Sequence, residues 1–132
     1  MKIPELAASR VTRKIESGEY STKLSRQQYL KHVEGTAQYE AYRQARQKRG
    51  LSPQSILTIT EEEVERLISD KAGTGIVGVT HDGREKPIED ITANRIIGKY
   101  WRGGRYVDTN KVRIHYGRKS SHVSPIGGKH YD

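Results

Sequence analysis

The chain has 132 residues, 33% of them apolar, with eight tyrosines, one tryptophan, no phenylalanine and no cysteine. That is a single-domain length with a thin core of Ile, Val, Leu and tyrosine rings, and it excludes disulfides and thiolate metal sites. The charge is uneven: 11 Lys/Arg against 5 Asp/Glu in residues 1–50, 4 against 9 in 51–93 and 9 against 2 in 94–132, for a net +8. Two basic blocks around an acidic one point to a polyanionic partner, most often nucleic acid.

Ile3-Pro4-Glu5 opens a helix with proline in the first turn. Ala7, Val11 and Ile15 recur on one face, and Gly18 stops it. Residues 25–30 form a short helical piece leading into His32. Thr36 caps a further helix that runs to Arg49 and ends at Gly50. Its apolar face is only Ala37, Ala41 and Ala45 with Tyr42 nearby, and Arg43, Arg46, Lys48 and Arg49 make its end cationic. Such a run complements the helix dipole and can also meet a phosphate backbone. Ser55 to Ile59 reads as extended. Thr60-Glu61-Glu62-Glu63 is a capping box, and Val64, Leu67 and Ile68 make the stripe of a helix ending at Lys71 and Gly73. Those glutamates suit a helix N-terminus better than an acidic catalytic site. Gly73-Thr74-Gly75 lacks the spacing of a P-loop and reads as the helix stop.

From there the period changes to two. Ile76 to Thr80 predicts a strand and Asp82-Gly83, beside His81, a hairpin turn. Residues 86–93 carry no clear signal. Strands follow at 95–101 and Tyr106-Val107, with a turn at 102–105. Then Val112, Ile114 and Tyr116 alternate with Lys111, Arg113 and His115, and a turn at Gly117-Arg118-Lys119 leads to Ser121-His122-Val123. Helices first and strands after give an α+β class, with N-terminal helices packed on an antiparallel meander of about four strands. The expected organisation is a helical extension or linker at 1–26, the domain at 27–126 and a flexible tail at 127–132. His81 in its turn and His130 in the tail read as surface residues. No apolar run is long enough to span a membrane and none reads as a signal peptide.

The last strands carry the chemistry. If Val112, Ile114 and Tyr116 face the core, Arg113 and His115 share the other face. A hairpin partner in the right register places His122 or Ser121 beside them. Cleaving RNA without a metal uses the 2′-hydroxyl as nucleophile, a base to take its proton, an acid for the leaving 5′-oxygen and cations for the phosphorane. Histidine suits both proton roles, and Lys and Arg the charge. The acid–base candidates are His32, His115 and His122. Arg113, Lys119 and Lys31 are candidates for the phosphate, and Tyr116, Thr36, Ser55 and Ser121 for hydrogen bonds. No His/Asp/Glu spacing marks a metal site, no serine elbow marks acyl chemistry, and no cofactor is expected.

In order along the chain, Lys31-His32-Val33-Glu34-Gly35-Thr36 with Tyr39, Ser55 with Leu57, Thr60 to Leu67 and Ala72-Gly73-Thr74-Gly75 come first. Ile97-Gly98-Lys99-Tyr100, Ile114-His115-Tyr116 with Lys119, and His122-Val123-Ser124-Pro125 complete the series. This series resembles the polymorphic toxin type 50 domain, which also occurs at the C-termini of phage minor capsid proteins and related exported proteins. The resemblance implies a ribonuclease of the barnase–EndoU–colicin–RelE-like group, with its site on a four-stranded sheet. The matching positions are His32, Thr36, Ser55, His115, Tyr116 and His122. A hydroxyl residue is expected after the tyrosine, where this chain has Gly117, with Ser120 or Ser121 as substitutes. The resemblance further implies RNA, including tRNA, as substrate and an acidic immunity protein as partner. Delivery to a target-cell cytoplasm would be as part of a secreted or phage-encoded protein. A monomer without membrane attachment is expected. Two other readings use the same residues. One is a non-catalytic nucleic-acid-binding module, such as a phage accessory protein, resting on charge and on Tyr100, Trp101 and Tyr106. The other is a protein adaptor using the acidic helix at 60–71.

Overall fold

Hydroxyl side chains set where three of the four helices begin. In the computed structural model, which describes residues 4–127, the helices are α1 (Pro4–Glu16), α2 (Arg26–Leu30), α3 (Ala37–Lys48) and α4 (Glu61–Lys71). Ser25 Oγ accepts from the Gln28 amide, Thr36 Oγ1 from Tyr39 and Thr60 Oγ1 from Glu63. Each hydroxyl satisfies one orphan amide of a first turn. Glu63 also returns a carboxylate oxygen to the Thr60 amide, completing the capping box.

The strands are β1 (Ile56–Leu57), β2 (Ile76–Val79), β3 (Glu85–Thr92), β4 (Gly98–Arg102), β5 (Arg105–Thr109), β6 (Lys111–His115) and β7 (His122–Ile126). The α+β class holds, but the strands divide into two antiparallel sheets, ordered β1-β4-β5 and β2-β3-β6-β7. The expected single meander is thus interrupted: the β4–β5 hairpin leaves it to pair with β1, and β3 joins β6 directly. Strand β3 occupies the stretch without a clear signal because its polar residues have internal partners. Glu85 meets Lys14 at 3.1 Å, Asp90 meets Arg113, and Glu89 is fully buried. The two sheets touch at Gly98, where a Cβ would collide with the Ile56 carbonyl and the Pro125 ring.

Helix α4 packs Val64 and Ile68 into the same cluster as Val112, Ile114 and Val123 of the long sheet, all at most 1% exposed. Part of the segment expected as an extension belongs to this cluster through Val11, Tyr20 and Leu24. The Tyr20 ring stacks on Tyr116 at 4.8 Å, and the Ser21 and Ser25 amides donate to the Gly117 and Ser121 carbonyls. His130 and residues 128–132 of the expected tail lie outside the described residues.

Glu89 closes the core from within. Its Oε1 accepts from the Gly73 amide at 2.9 Å and from the Tyr116 hydroxyl at 2.6 Å, and its Oε2 from the Gly75 amide at 2.6 Å. A buried carboxylate is tolerated when its lone pairs meet donors. The Gly73-Thr74-Gly75 turn therefore binds an anion, but one supplied by the chain itself. Glu89→Gln places an amide donor against one of these three donors, and the expected loss is about 1–3 kcal/mol. A drop in the urea midpoint at neutral pH, with an unchanged slope, checks this.

Candidate active site

Strands β6 and β7 pair so that His115 lies opposite His122 and Arg113 opposite Ser124. Directly opposed residues of an antiparallel pair share a face. The two imidazoles stack with centroids 4.5 Å apart and planes within 6° of parallel. His115 Nε2 lies 3.0 Å from Ser124 Oγ. On the opposite face Val112, Ile114 and Tyr116 are buried, as the alternation requires.

His32 comes from the turn after α2. Its Nδ1 is 2.8 Å from the Ser55 carbonyl oxygen and 3.3 Å from Ser55 Oγ. A carbonyl only accepts, so Nδ1 carries the hydrogen and Nε2 keeps its lone pair in the neutral ring. The Thr36 hydroxyl shapes this turn. It donates toward the Leu30 and Val33 carbonyls at 2.8 and 2.9 Å while accepting from the Tyr39 amide. Gln54 ties the opposite side, its amide nitrogen donating to the carbonyls of Lys31 at 3.1 Å and Tyr39 at 2.9 Å.

His32, His115, His122 and Ser55 line one cleft of about 400 Å³, shared with Gln28, Tyr42, Arg46, Gln54, Trp101 and Ser124. Burial disfavours the charged form of all three imidazoles. It is the main cause at His115, followed by the charges of His122 and Arg113, and carries that ring down to about 4. At His122 burial and then Lys31 lower the value. At His32 burial outweighs the opposing hydrogen bond to Ser55. Stacked rings also titrate as a pair, since the first proton opposes the second. The cleft therefore offers neutral imidazoles near pH 7 that accept a proton most readily when an anion is bound.

The other expected site residues are placed differently. Tyr116 faces the core, where its hydroxyl donates to Glu89 and burial raises its pKa. Ser121 is fully buried, accepting from the Gly117 amide and donating to the Ser21 carbonyl at 2.5 Å. Its hydroxyl thus secures the turn rather than reaching the cleft. Gly117 itself has no room for a side chain, because a Cβ would strike the Ser120 carbonyl. Arg113 is on the histidine face but is held by Asp90 through two bonds of 2.7 and 3.0 Å. Lys119 is exposed in the β6–β7 turn. Lys31 lies 5.3 Å from the Tyr42 ring centroid, and the Arg46 guanidinium 5.7 Å from it. Tyr42, Arg46 and Ser124 were not among the expected site residues. Ser124 was readable, two positions beyond His122 on one strand face; Tyr42 and Arg46 reach the cleft only by tertiary packing. Among the described residues no cluster of His, Cys, Asp or Glu is placed to hold a metal ion, and no helix is long and apolar enough to cross a membrane.

A family model described as bacterial toxin 50 matches residues 24–125. The chain belongs to the bacterial toxin 50 family. No curated protein and no solved structure matches it. The match begins at Leu24, which bridges to Ser121 beside β7, and takes in His32, Ser55, His115 and His122. In this toxin-family domain the histidine face and the helical wall of the cleft thus fall within the shared region.

The lowered imidazoles make the stability of the toxin domain pH-dependent. Each binds a proton less readily folded than unfolded, so acid favours the unfolded chain. The contribution of His115 is present above pH 6.5 and falls away as the pH drops toward about 4. His115→Gln is expected to shrink the difference between urea midpoints at pH 7 and pH 5, and an unchanged difference would contradict the assigned shift.

Proposed function

We propose that this toxin-family domain is a metal-independent endoribonuclease that cleaves RNA by 2′-hydroxyl attack. The observation that carries the reading is the stacked His115–His122 pair in one cleft with His32. Membership of a toxin family and the cationic surroundings of the cleft support it.

In-line displacement puts the attacking 2′-oxygen and the leaving 5′-oxygen on opposite sides of phosphorus. Base and acid therefore belong on different walls. His32, with its hydrogen on Nδ1 toward Ser55 and its Nε2 lone pair available, serves as base. Taking the 2′-hydroxyl proton makes it an imidazolium that the Ser55 carbonyl stabilises. The His115–His122 pair serves as acid. A bound phosphodiester adds negative charge and draws one proton onto the pair. That proton passes to the 5′-oxygen as the P–O bond breaks, leaving a 2′,3′-cyclic phosphate and a free 5′-hydroxyl. Lys31 and Arg46 stabilise the charge on the phosphorane. The same reading expects an acidic immunity protein as inhibitor in the producing cell and action in a target-cell cytoplasm.

Incubation of the purified protein with total RNA and tRNA in EDTA tests the proposal. Discrete fragments with cyclic-phosphate ends are expected. His32→Ala and His122→Ala should each slow cleavage by about 10²–10⁴-fold. Tyr116→Phe and Thr36→Ala should reduce stability yet still cleave where they stay folded, because their hydroxyls serve the fold. Undiminished cleavage by His115→Ala and His122→Ala would sink the site assignment. Intact RNA that still shifts in a gel would favour the non-catalytic binding module.

The pH profile supplies a separate expectation. Both proton-transfer groups sit below the ordinary histidine value of 6.5. The maximum of kcat/KM, which reports the free enzyme, is expected below pH 6.5; a maximum above pH 7 would contradict the acid–base assignment.

A further inference from the structure

The cleft has an aromatic wall that the proton transfers do not use. Trp101 of β4 stands directly opposite Tyr106 of β5 and meets it edge to face, centroids 5.1 Å apart at 79°. The Tyr106 hydroxyl is held at 3.0 Å by the Gln54 carbonyl, so the ring that backs the indole is itself fixed. Burial raises the Tyr106 pKa to about 12. Trp101 lines the cleft and is only partly buried, and Lys99, Arg102 and Arg105 on the same hairpin are exposed. Tyr42, which also lines the cleft, gathers Lys31 and Arg46 against its ring. The one cleft thus brings together cations, a buttressed indole and the histidines.

A base inside a duplex has no free face to offer. An indole beside a cationic groove binds single strands, whose bases stack on it whatever their identity, and sequence-specific recognition of unpaired RNA uses the same stacking contact. We propose that Trp101 is the stacking platform for an unpaired base next to the scissile phosphate, making single-stranded RNA the substrate class of this cleft. The proposal rests on RNA as the ligand of the site described above, but not on the cleavage step.

Trp101 is the only tryptophan in the chain, so its emission reports this contact alone. The probe is a 2′-O-methyl RNA oligonucleotide, which lacks the nucleophile and cannot be cleaved. It is titrated as a single strand and as a duplex of the same sequence, beside cleavage assays on the unmodified strands. Quenching by the single strand and not by the duplex is expected, together with preferential cleavage of the single strand. In anisotropy titrations of a labelled strand, Trp101→Leu should weaken binding by about ten-fold or more, and Trp101→Phe should retain most of it. Thermal unfolding of both variants separates this from a folding defect. Quenching without any cleavage would leave the stacking site standing and overturn the ribonuclease reading. Cleavage without quenching, equal binding of duplex and single strand, or unchanged binding by folded Trp101→Leu would overturn the stacking site. Absence of binding to either strand would overturn both.

Discussion

A slip of one residue between β6 and β7 would turn His122 toward the core and Val123 toward solvent, because side chains alternate along a strand. The site depends on that register. It is held at the turn by contacts distant in sequence. Ser121 Oγ binds the Gly117 amide and the Ser21 carbonyl, Leu24 bridges to Ser121, and Tyr20 stacks on Tyr116. Residues 20–25 thus act as a clasp on the hairpin that carries the histidines. Burial of Val112, Ile114 and Val123 on the far face makes any other register lose core contacts.

The acidic middle block has its own use in the fold. Glu61 pairs with Arg26, Glu63 with Arg95, Glu85 with Lys14 and Asp90 with Arg113, while Glu89 binds glycine amides. These carboxylates are spent on structure. Among the described residues, no carboxylate forms an ion pair with Lys31 or Arg46 beside the cleft. Burial is the largest cause at all three imidazoles and outweighs what opposes it, the Ser55 hydrogen bond at His32 and the Asp90 charge at His115. Cleft electrostatics thus follow first from burial, while the internal pairing of negative charge serves the fold.

Two layers of support surround the histidines. Thr36 and Gln54 tie the ends of α2 and α3 to the loop before β1, and so place His32 and Ser55. Tyr106, bonded to the backbone of Gln54, carries the same tie to the wall bearing Trp101. The loop around Gln54 is thus common to both supports, and a change there is felt at His32 and at the indole together.

Local rules made several elements legible. The capping box at Thr60, the cap at Thr36 and the period-two alternation from Lys111 to Tyr116 each act within a few residues, and each appears as read. The pairing of His115 with His122 was one of two registers open to the hairpin. Strand β3 was hidden because a buried Glu89 mimics a solvent-facing residue until its three donors, up to 27 positions away, are known. The separation of β4 and β5 into a second sheet depends on the close approach at Gly98, which no short window reveals. For the proposed site, residue types and motif spacing set the chemistry available: imidazoles, cations and hydroxyls around two motifs. Which of them meet follows from packing between distant segments. Thr36, Tyr116 and Ser121 have hydroxyls like Ser55, but their partners are backbone and core groups brought by long-range packing, and that packing leaves His32, His115, His122 and Ser55 together in the cleft.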